Sequence, residues 1–159
     1  MSITEKDKEY MREAIRLADE SVKNGGGPFG AVIVRNGEIV AGSANSVTID
    51  NDPTAHAEVN TIRQACKKLG TFDLSDCVIY TSCEPCPMCL GAIYWARIKK
   101  IYYGNTKKDA ADINFADDFI YKELEQRKEK RFVPLISLLR NEALKTFRAW
   151  EAKQDKVEY

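Results

Sequence analysis

The strongest constraint on the fold is a pair of short motifs that contain the only histidine and three of the five cysteines of this 159-residue chain. The first motif holds His56 and Glu58, and the second holds Cys83, Cys86 and Cys89. Imidazole and thiolate groups are typical metal ligands, and clustered cysteines in a reducing compartment bind metal more often than they form disulfides. A fold that uses these residues together must bring the two motifs to one point.

The second motif predicts a helix that begins at its cysteines. Pro87 follows Cys86, and proline suits the first turn of a helix because its missing N–H would be unpaired there. Cys86 and Cys89 are three positions apart, so they face the same side of that turn, where the helix N-terminus stabilises thiolates. Two sulfurs and one imidazole most simply bind zinc. The three ligands His56, Cys86 and Cys89 leave one position for water, as in catalytic zinc sites.

Glu58 is the candidate general base. Two thiolates cancel the formal charge of zinc, so the ion acidifies its water less than one held by three imidazoles, and a base must help. Residues two apart point to nearly opposite sides of a regular helix, so His56 and Glu58 share a site only if they straddle a helix start. The loop at residues 52–53, followed by helical periodicity, predicts that start.

Two other interpretations of the cysteines remain open. A closed structural zinc site would use Cys83 as a fourth ligand, and Glu58 would then have no catalytic role. The Cys-x-x-Cys-x-x-Cys run also resembles part of an iron–sulfur motif, although the fourth cysteine followed by proline is absent. We interpret Cys66 and Cys77 as core residues.

Hydrophobic periodicity predicts one α/β domain with helices on both faces of a sheet. An Asn36-Gly37 pair between two apolar runs predicts a β-hairpin. The order of elements is α-β-β-α-β-α-β, followed by helices. Predicted helices cover residues 3–24, 56–69, 87–96, 115–124 and 135–150, and predicted strands cover residues 29–34, 39–41, 77–81 and 100–104.

Composition argues against two classes of partner. Lys+Arg and Asp+Glu each total 24, so the formal net charge is +0. A nucleic-acid-binding protein usually has a basic excess, so nucleic acid is disfavoured as a partner. No apolar run is long enough to cross a membrane, and the mixed-charge N-terminus lacks the apolar stretch of a secretion signal. We therefore expect a cytoplasmic protein with no membrane partner.

Together the motifs have the form His-x-Glu … Pro-Cys-x-x-Cys, which is the pattern of zinc-dependent nucleobase deaminases. With their flanks, residues 27–34, Asn45, 52–58 and 81–97, they resemble the cytidine-deaminase superfamily. Within it, the run 82–97 and the terminal tyrosine are most similar to the bacterial guanine deaminases. The resemblance covers nearly the whole chain.

This resemblance implies a three-layer α/β/α fold with a five-stranded mixed sheet, and one zinc ion per chain. The implied reaction is the hydrolytic deamination of guanine to xanthine and ammonia. A tRNA adenosine deaminase, or another nucleobase or nucleoside deaminase of the same fold, is the alternative. The resemblance also implies a homodimer in which a C-terminal segment, about residues 135–159, is exchanged between subunits. The sequence leaves open whether that segment crosses over or folds back.

The same resemblance implies a set of contacts to a purine base. The expected residues are Phe29, Asn45, Ala57, Trp95, Asp117 and Tyr159. Asn45 and Asp117 would hydrogen-bond the base, Phe29 and Trp95 would wall it, and Tyr159 would help close the partner's site. From the residues alone, Asn45 is equally typical of a strand end and Asp117 of a helix cap. Aromatic residues beside small ones are more often explained by simple packing.

Overall fold

Four strands and seven α-helices follow one another in the computed structural model, which describes residues 2–159. The chain divides into two compact units, one that ends at Asp118 and one that covers Phe119–Tyr159. The strands are β1 (Gly30–Arg35), β2 (Glu38–Ala44), β3 (Cys77–Cys83) and β4 (Ile101–Asn105). The helices are α1 (Glu5–Lys23), α2 (Val47–Asp50), α3 (Ala57–Leu69), α4 (Pro87–Trp95), α5 (Lys107–Asp112), α6 (Asp118–Glu125) and α7 (Arg140–Ala152).

The sheet has the strand order β2-β1-β3-β4. Strand β1 pairs antiparallel with β2 and with β3, and β3 pairs parallel with β4. The predicted hairpin joins β1 to β2 through Asn36 and Gly37, whose φ angles of 52° and 79° lie in the left-handed region that this turn requires. The sheet is therefore mixed, with β1 and β3 as its two inner strands.

The expectation of five strands is wrong for the described residues, because the sheet has four. After β4 the chain turns at once into α5, whose start is fixed by reciprocal hydrogen bonds between Thr106 and Asp109. Hydrogen-bonded caps of this kind favour helix over a further strand. The next apolar run that could supply a strand, residues 132–139, includes Pro134 and is not paired in the sheet.

Helices cover both faces of the sheet, as predicted. Side chains alternate along a strand, so Ile33 and Ile79 face one side, where they pack with Ala65 of α3 and Ile93 of α4. On the other face, a second cluster packs α1 against the sheet; its buried members are Tyr10, Ala14, Val32, Val34 and Tyr80. The face that carries α3 and α4 is the face that carries the two sequence motifs.

Several boundaries differ from the sequence predictions. The short helices α2 and α5 were not predicted. Helix α7 begins at Arg140 and not at residue 135, because Leu139 has a φ of 52°, outside the helical region. The predicted helix 115–124 begins three residues later, at Asp118. Within residues 2–159, no helix has the length and apolar character needed to cross a membrane.

The second unit exposes large apolar side chains. Phe132 is 80% exposed and Ile136 is 84% exposed, and neither α6 nor α7 contains a buried residue. Inside the unit, the rings of Phe119 and Phe132 lie 6.2 Å apart. An isolated chain would hold these apolar surfaces in water, which is unfavourable.

Candidate active site

The first motif straddles the start of α3, as predicted. His56 is the N-cap with an extended backbone (φ −72°, ψ 155°), and Glu58 lies in the first helical turn. The extended backbone before the helix frees the two side chains from the opposite orientations of a regular helix. His56 Nδ1 lies 3.4 Å from Cys89 Sγ, and Glu58 lies close enough to Cys89 for each group to influence the pKa of the other.

The second motif caps α4. Cys86 is the N-cap residue, Pro87 occupies the first helical turn, and Cys86 Sγ accepts a hydrogen bond of 3.4 Å from the backbone N–H of Cys89. A free N–H at a helix start favours a negatively charged sulfur. Cys86 Sγ also lies 3.5 Å from His56 Nδ1. The ligand atoms of His56, Cys86 and Cys89 all lie within 4.8 Å of one another.

This donor set fits zinc. The neighbouring Cys89 thiol, with a further contribution from His56, lowers the pKa of Cys86 to about 4, so Cys86 is a thiolate at neutral pH. The hydrogen bond to Cys86 raises the pKa of His56, and the contact with the Cys86 thiolate raises the pKa of Cys89. Two sulfurs and one imidazole at this separation match a tetrahedral site that keeps its fourth position for water.

Cys83 is not part of this group among residues 2–159. Its thiol points to the carbonyl oxygen of Thr106, at 3.8 Å, and burial raises its pKa to about 11. Cys83 is excluded by its position, because its sulfur has a backbone carbonyl as partner and lies outside the three ligand atoms that are within 4.8 Å of one another. The geometry therefore favours the three-ligand arrangement over the closed structural site.

Glu58 is buried, with 6% of its surface exposed. Its Oε1 accepts a hydrogen bond of 2.9 Å from the hydroxyl of Thr81. Burial raises the pKa of Glu58, because removal from water disfavours the charged carboxylate. A buried carboxyl group beside a metal-ligand set is suited to accept a proton and to return it.

Asp117 is a half-buried carboxylate near the ligands. Its Oδ1 is buried and has no hydrogen-bond partner, the one such side-chain N or O atom found among residues 2–159. Burial raises the pKa of Asp117, and the Cys86 thiolate adds to the rise. An orphaned buried oxygen is rare, and the N–H group of a ligand would satisfy it.

Asn45 and Phe29 lie next to each other at the end of the β1–β2 hairpin. The backbone N–H of Asn45 donates to the Phe29 carbonyl, and Asn45 Oδ1 accepts from the backbone N–H of Val47 at 3.1 Å. Gly27 lies so close that a Cβ there would be 3.2 Å from Asn45 Oδ1. The loop therefore holds the amide in one orientation. The Phe29 ring packs edge-on against Phe115, with centroids 5.0 Å apart.

Of the other three predicted base contacts, one lies beside the ligands and two are exposed to solvent. Ala57 is fully buried at the start of α3, beside the ligands. Trp95 is the last residue of α4, at the end opposite the cysteines, and is 68% exposed. Tyr159 belongs to the second unit and is 74% exposed. The roles of these three residues remain predictions.

Two polar residues of the site were missed by sequence reasoning. Thr81 contacts Glu58 directly, and Asn60 holds the loops that carry Asn45 and His56. The Asn60 side-chain amide donates to the carbonyl oxygens of Ala44 and Ala55, at 3.0 and 3.3 Å. The sequence offers only a weak indication of their role, because each is a polar residue on the mainly apolar, core-facing side of its strand or helix.

Comparisons with known proteins agree with this geometry. Residues 4–105 match the family model described as the cytidine and deoxycytidylate deaminase zinc-binding region. Guanine deaminase of Bacillus subtilis (strain 168) is 54% identical over 151 residues, which cover 94% of this chain and 97% of the relative. The X-ray structure of guanine deaminase from Bacillus subtilis is 53% identical, with a TM-score of 0.92, over 96% of this chain and 98% of that chain. The tRNA-specific adenosine deaminase of the same bacterium is 44% identical over 98 residues, which cover 62% of this chain and 61% of the relative.

Proposed function

The chain belongs to the cytidine and deoxycytidylate deaminase family, and on that premise we propose that it catalyses the hydrolytic deamination of guanine to xanthine and ammonia. The observation that carries the proposal is the extent of the likeness: similarity to guanine deaminase runs through nearly the whole chain, second unit included. The reaction would belong to purine catabolism or salvage.

The side chains of the site fit this chemistry. Zinc held by His56, Cys86 and Cys89, one ion per chain, would supply a Lewis acid that lowers the pKa of a water molecule. The Glu58 carboxylate takes a proton from the water that attacks the carbon bearing the exocyclic amine. Glu58 delivers that proton to the ring nitrogen, then takes the second proton from the new hydroxyl on the same carbon and delivers it to the amine. The carbon–nitrogen bond breaks as the carbonyl forms, so guanine and water give xanthine and ammonia.

Two polar groups would orient the base. Asp117 Oδ1 is buried and unpaired, so it is suited to accept a hydrogen bond from an N–H of guanine. Asn45 Oδ1 already accepts from Val47, which leaves the amide N–H groups of Asn45 to donate to an acceptor of the base. Phe29 and Ala57 would form the apolar wall beside these groups, and Trp95 would contribute where a partner or the base covers it.

We extend the proposal to a homodimer in which the segment of about residues 135–159 is exchanged and Tyr159 closes the partner's site. Exposed apolar side chains in and before this segment support it: Phe132 and Ile136 are more than three-quarters exposed. The outer edge of β4 is also unpaired among residues 2–159, and edge strands favour the addition of a further strand. Light scattering of the purified protein would test the dimer, and a monomer of 18.0 kDa would contradict it.

Deamination of adenosine in tRNA is the second candidate. Its support is the 44% identity to tRNA-specific adenosine deaminase, which extends over less than two thirds of this chain. The balance of 24 basic and 24 acidic residues is unfavourable for phosphate contacts.

We place the reaction in the cytoplasm, where the five free cysteines would remain reduced.

A substrate panel tests the proposal. Purified protein of measured zinc content would be incubated with guanine, guanosine, adenine, cytosine, cytidine and tRNA, and ammonia release would be followed. We expect release from guanine at the highest kcat/KM. Zinc-loaded protein that releases no ammonia from guanine would refute the proposed substrate. Inosine formation in tRNA with a steep salt dependence would support the second candidate.

A further inference from the structure

We infer that Thr81 is a positioning residue that fixes the Glu58 carboxylate for proton transfer. The hydroxyl of Thr81 donates to Glu58 Oε1 across 2.9 Å, although 23 residues separate the two in the chain. Thr81 is 1% exposed, so water cannot replace the hydroxyl as a donor without a rearrangement. For its kinetic test, the inference rests on the guanine deamination proposed above.

The backbone of Thr81 is held on both sides. Thr81 lies in the inner strand β3, opposite Ala31 of β1 and Tyr103 of β4. Alternation along the strand places its side chain on the same face as Ile79, which packs with α3 and α4. The hydroxyl therefore projects from a rigid element toward the helix start that carries Glu58, and a donor on a strand is positioned more accurately than one on a loop.

Glu58 needs such a donor because its last torsion is soft. The carboxylate rotates about an sp³–sp² bond whose energy profile is broad, so the helix alone does not fix the plane of its oxygens. The hydrogen bond from Thr81 fixes Oε1 and thereby the direction in which the other oxygen points. Cys89 also lies near Glu58, but Cys89 is a proposed metal ligand. Thr81 is thus the partner that stays available when Cys89 binds the ion.

The chain offers a matched set of variants. Thr81→Val keeps the shape of the side chain and removes the donor, while Thr81→Ser keeps the donor and removes a methyl group. Thr61→Val is the control, because Thr61 is also fully buried on this face but donates only to the backbone carbonyls of Ala57 and Ala31. Zinc content and the urea midpoint would be measured for each variant to account for changes in folding.

With zinc-loaded protein and guanine, we expect Thr81→Val to lower kcat by about 10- to 100-fold, since a misplaced catalytic group costs on that order. KM should change less than about twofold, because Thr81 is not among the residues proposed to contact the base. Thr81→Ser should recover most of kcat, and Thr61→Val should keep the wild-type kcat even where its urea midpoint falls. A kcat of Thr81→Val within about twofold of wild type, or no recovery in Thr81→Ser, would overturn the inference.

Crystal structures of the zinc-loaded wild type, Thr81→Val and Thr81→Ser provide the readout that needs no substrate. We expect the Glu58 carboxylate to keep its orientation in Thr81→Ser and to rotate in Thr81→Val. A carboxylate that superposes in all three proteins would overturn the inference. Zinc-loaded wild type that leaves guanine unchanged would refute the proposed substrate alone, and the three structures would still decide the role of Thr81.

Discussion

Cys86 Sγ lies 3.5 Å from His56 Nδ1, although the two residues are 30 positions apart in the chain. Each is the N-cap of its helix, His56 for α3 and Cys86 for α4. Two helix starts therefore meet on one face of the sheet, and backbone N–H groups at the α4 start favour a thiolate there.

Replacement of Cys86 by alanine should remove bound zinc and all deaminase activity, because one of three ligands is lost. Cys83→Ala is the matched control: its thiol faces the Thr106 carbonyl and lies outside the ligand group. Metal analysis of the purified variants measures both. Loss of zinc from Cys83→Ala would instead support the closed four-ligand site.

Glu58→Gln should keep zinc and lower kcat by about 10²- to 10⁴-fold, the range that general acid–base catalysis contributes. Glutamine retains the shape of the side chain and an oxygen that can accept from Thr81, but it cannot carry the proton. Steady-state kinetics with zinc-loaded protein measures the change. A Glu58→Gln enzyme with wild-type kcat would show that another group moves the proton.

Asn60→Leu should reduce the free energy of unfolding by about 1–3 kcal/mol, because the carbonyl groups of Ala44 and Ala55 lose a partly buried donor. It should also raise KM more than it lowers kcat, since the Ala44 carbonyl directly precedes Asn45, which we propose contacts the base. Gln64→Ala is the control, because Gln64 joins α3 to Ser43 of β2 through an exposed hydrogen bond. Urea unfolding and kinetics of both variants test this, and equal effects of the two changes would contradict it.

Acid should destabilise the protein partly through Asp7. Hydrogen bonds from Thr4, and a further one from the Tyr80 hydroxyl at 2.6 Å, lower the pKa of Asp7 to about 2. A carboxyl group whose pKa is depressed on folding stabilises the fold above its unfolded pKa, and this contribution is lost as the pH falls through the folded pKa. Asp7→Asn should therefore be less stable than wild type at pH 6, and the difference should shrink as the pH approaches 2.

Urea unfolding at several pH values measures that difference. Tyr80→Phe is the informative companion, because it removes the hydrogen bond between the sheet and α1 and leaves the Thr4 cap in place. Tyr80→Phe should also be less stable than wild type at pH 6, but by less than Asp7→Asn. If the difference in unfolding free energy between Asp7→Asn and wild type stayed constant from pH 6 to pH 2, the proposed role of the Asp7 carboxylate would be wrong.

The orientation of each proposed ligand side chain could be predicted from the sequence because the geometry of a helix start is local. Helix-start signals at Pro87 and before His56 decide which way the side chains point, and these signals operate within a few residues. The family resemblance added a candidate base contact, Asp117, whose buried oxygen does lack a partner in the structure. Local signals therefore predicted how the side chains at the two helix starts are oriented, and the resemblance supplied the candidate base contacts.

Long-range contacts could not be predicted in the same way. Thr81 and Asn60 act through hydrogen bonds between elements, and their neighbours in sequence do not reveal those partners. The fifth strand expected from the resemblance is absent among residues 2–159, since the pairing of an edge strand depends on which chain segment reaches it. The start of α7 was misplaced because the left-handed backbone at Leu139 has no signature in a run of apolar residues.

X-ray absorption spectroscopy at the zinc edge of the purified protein is the most direct test of the metal centre. The arrangement of His56, Cys86 and Cys89 predicts two sulfur ligands at about 2.3 Å, one imidazole nitrogen at about 2.0–2.1 Å and one further light atom. A shell with three sulfurs, or with none, would contradict the account.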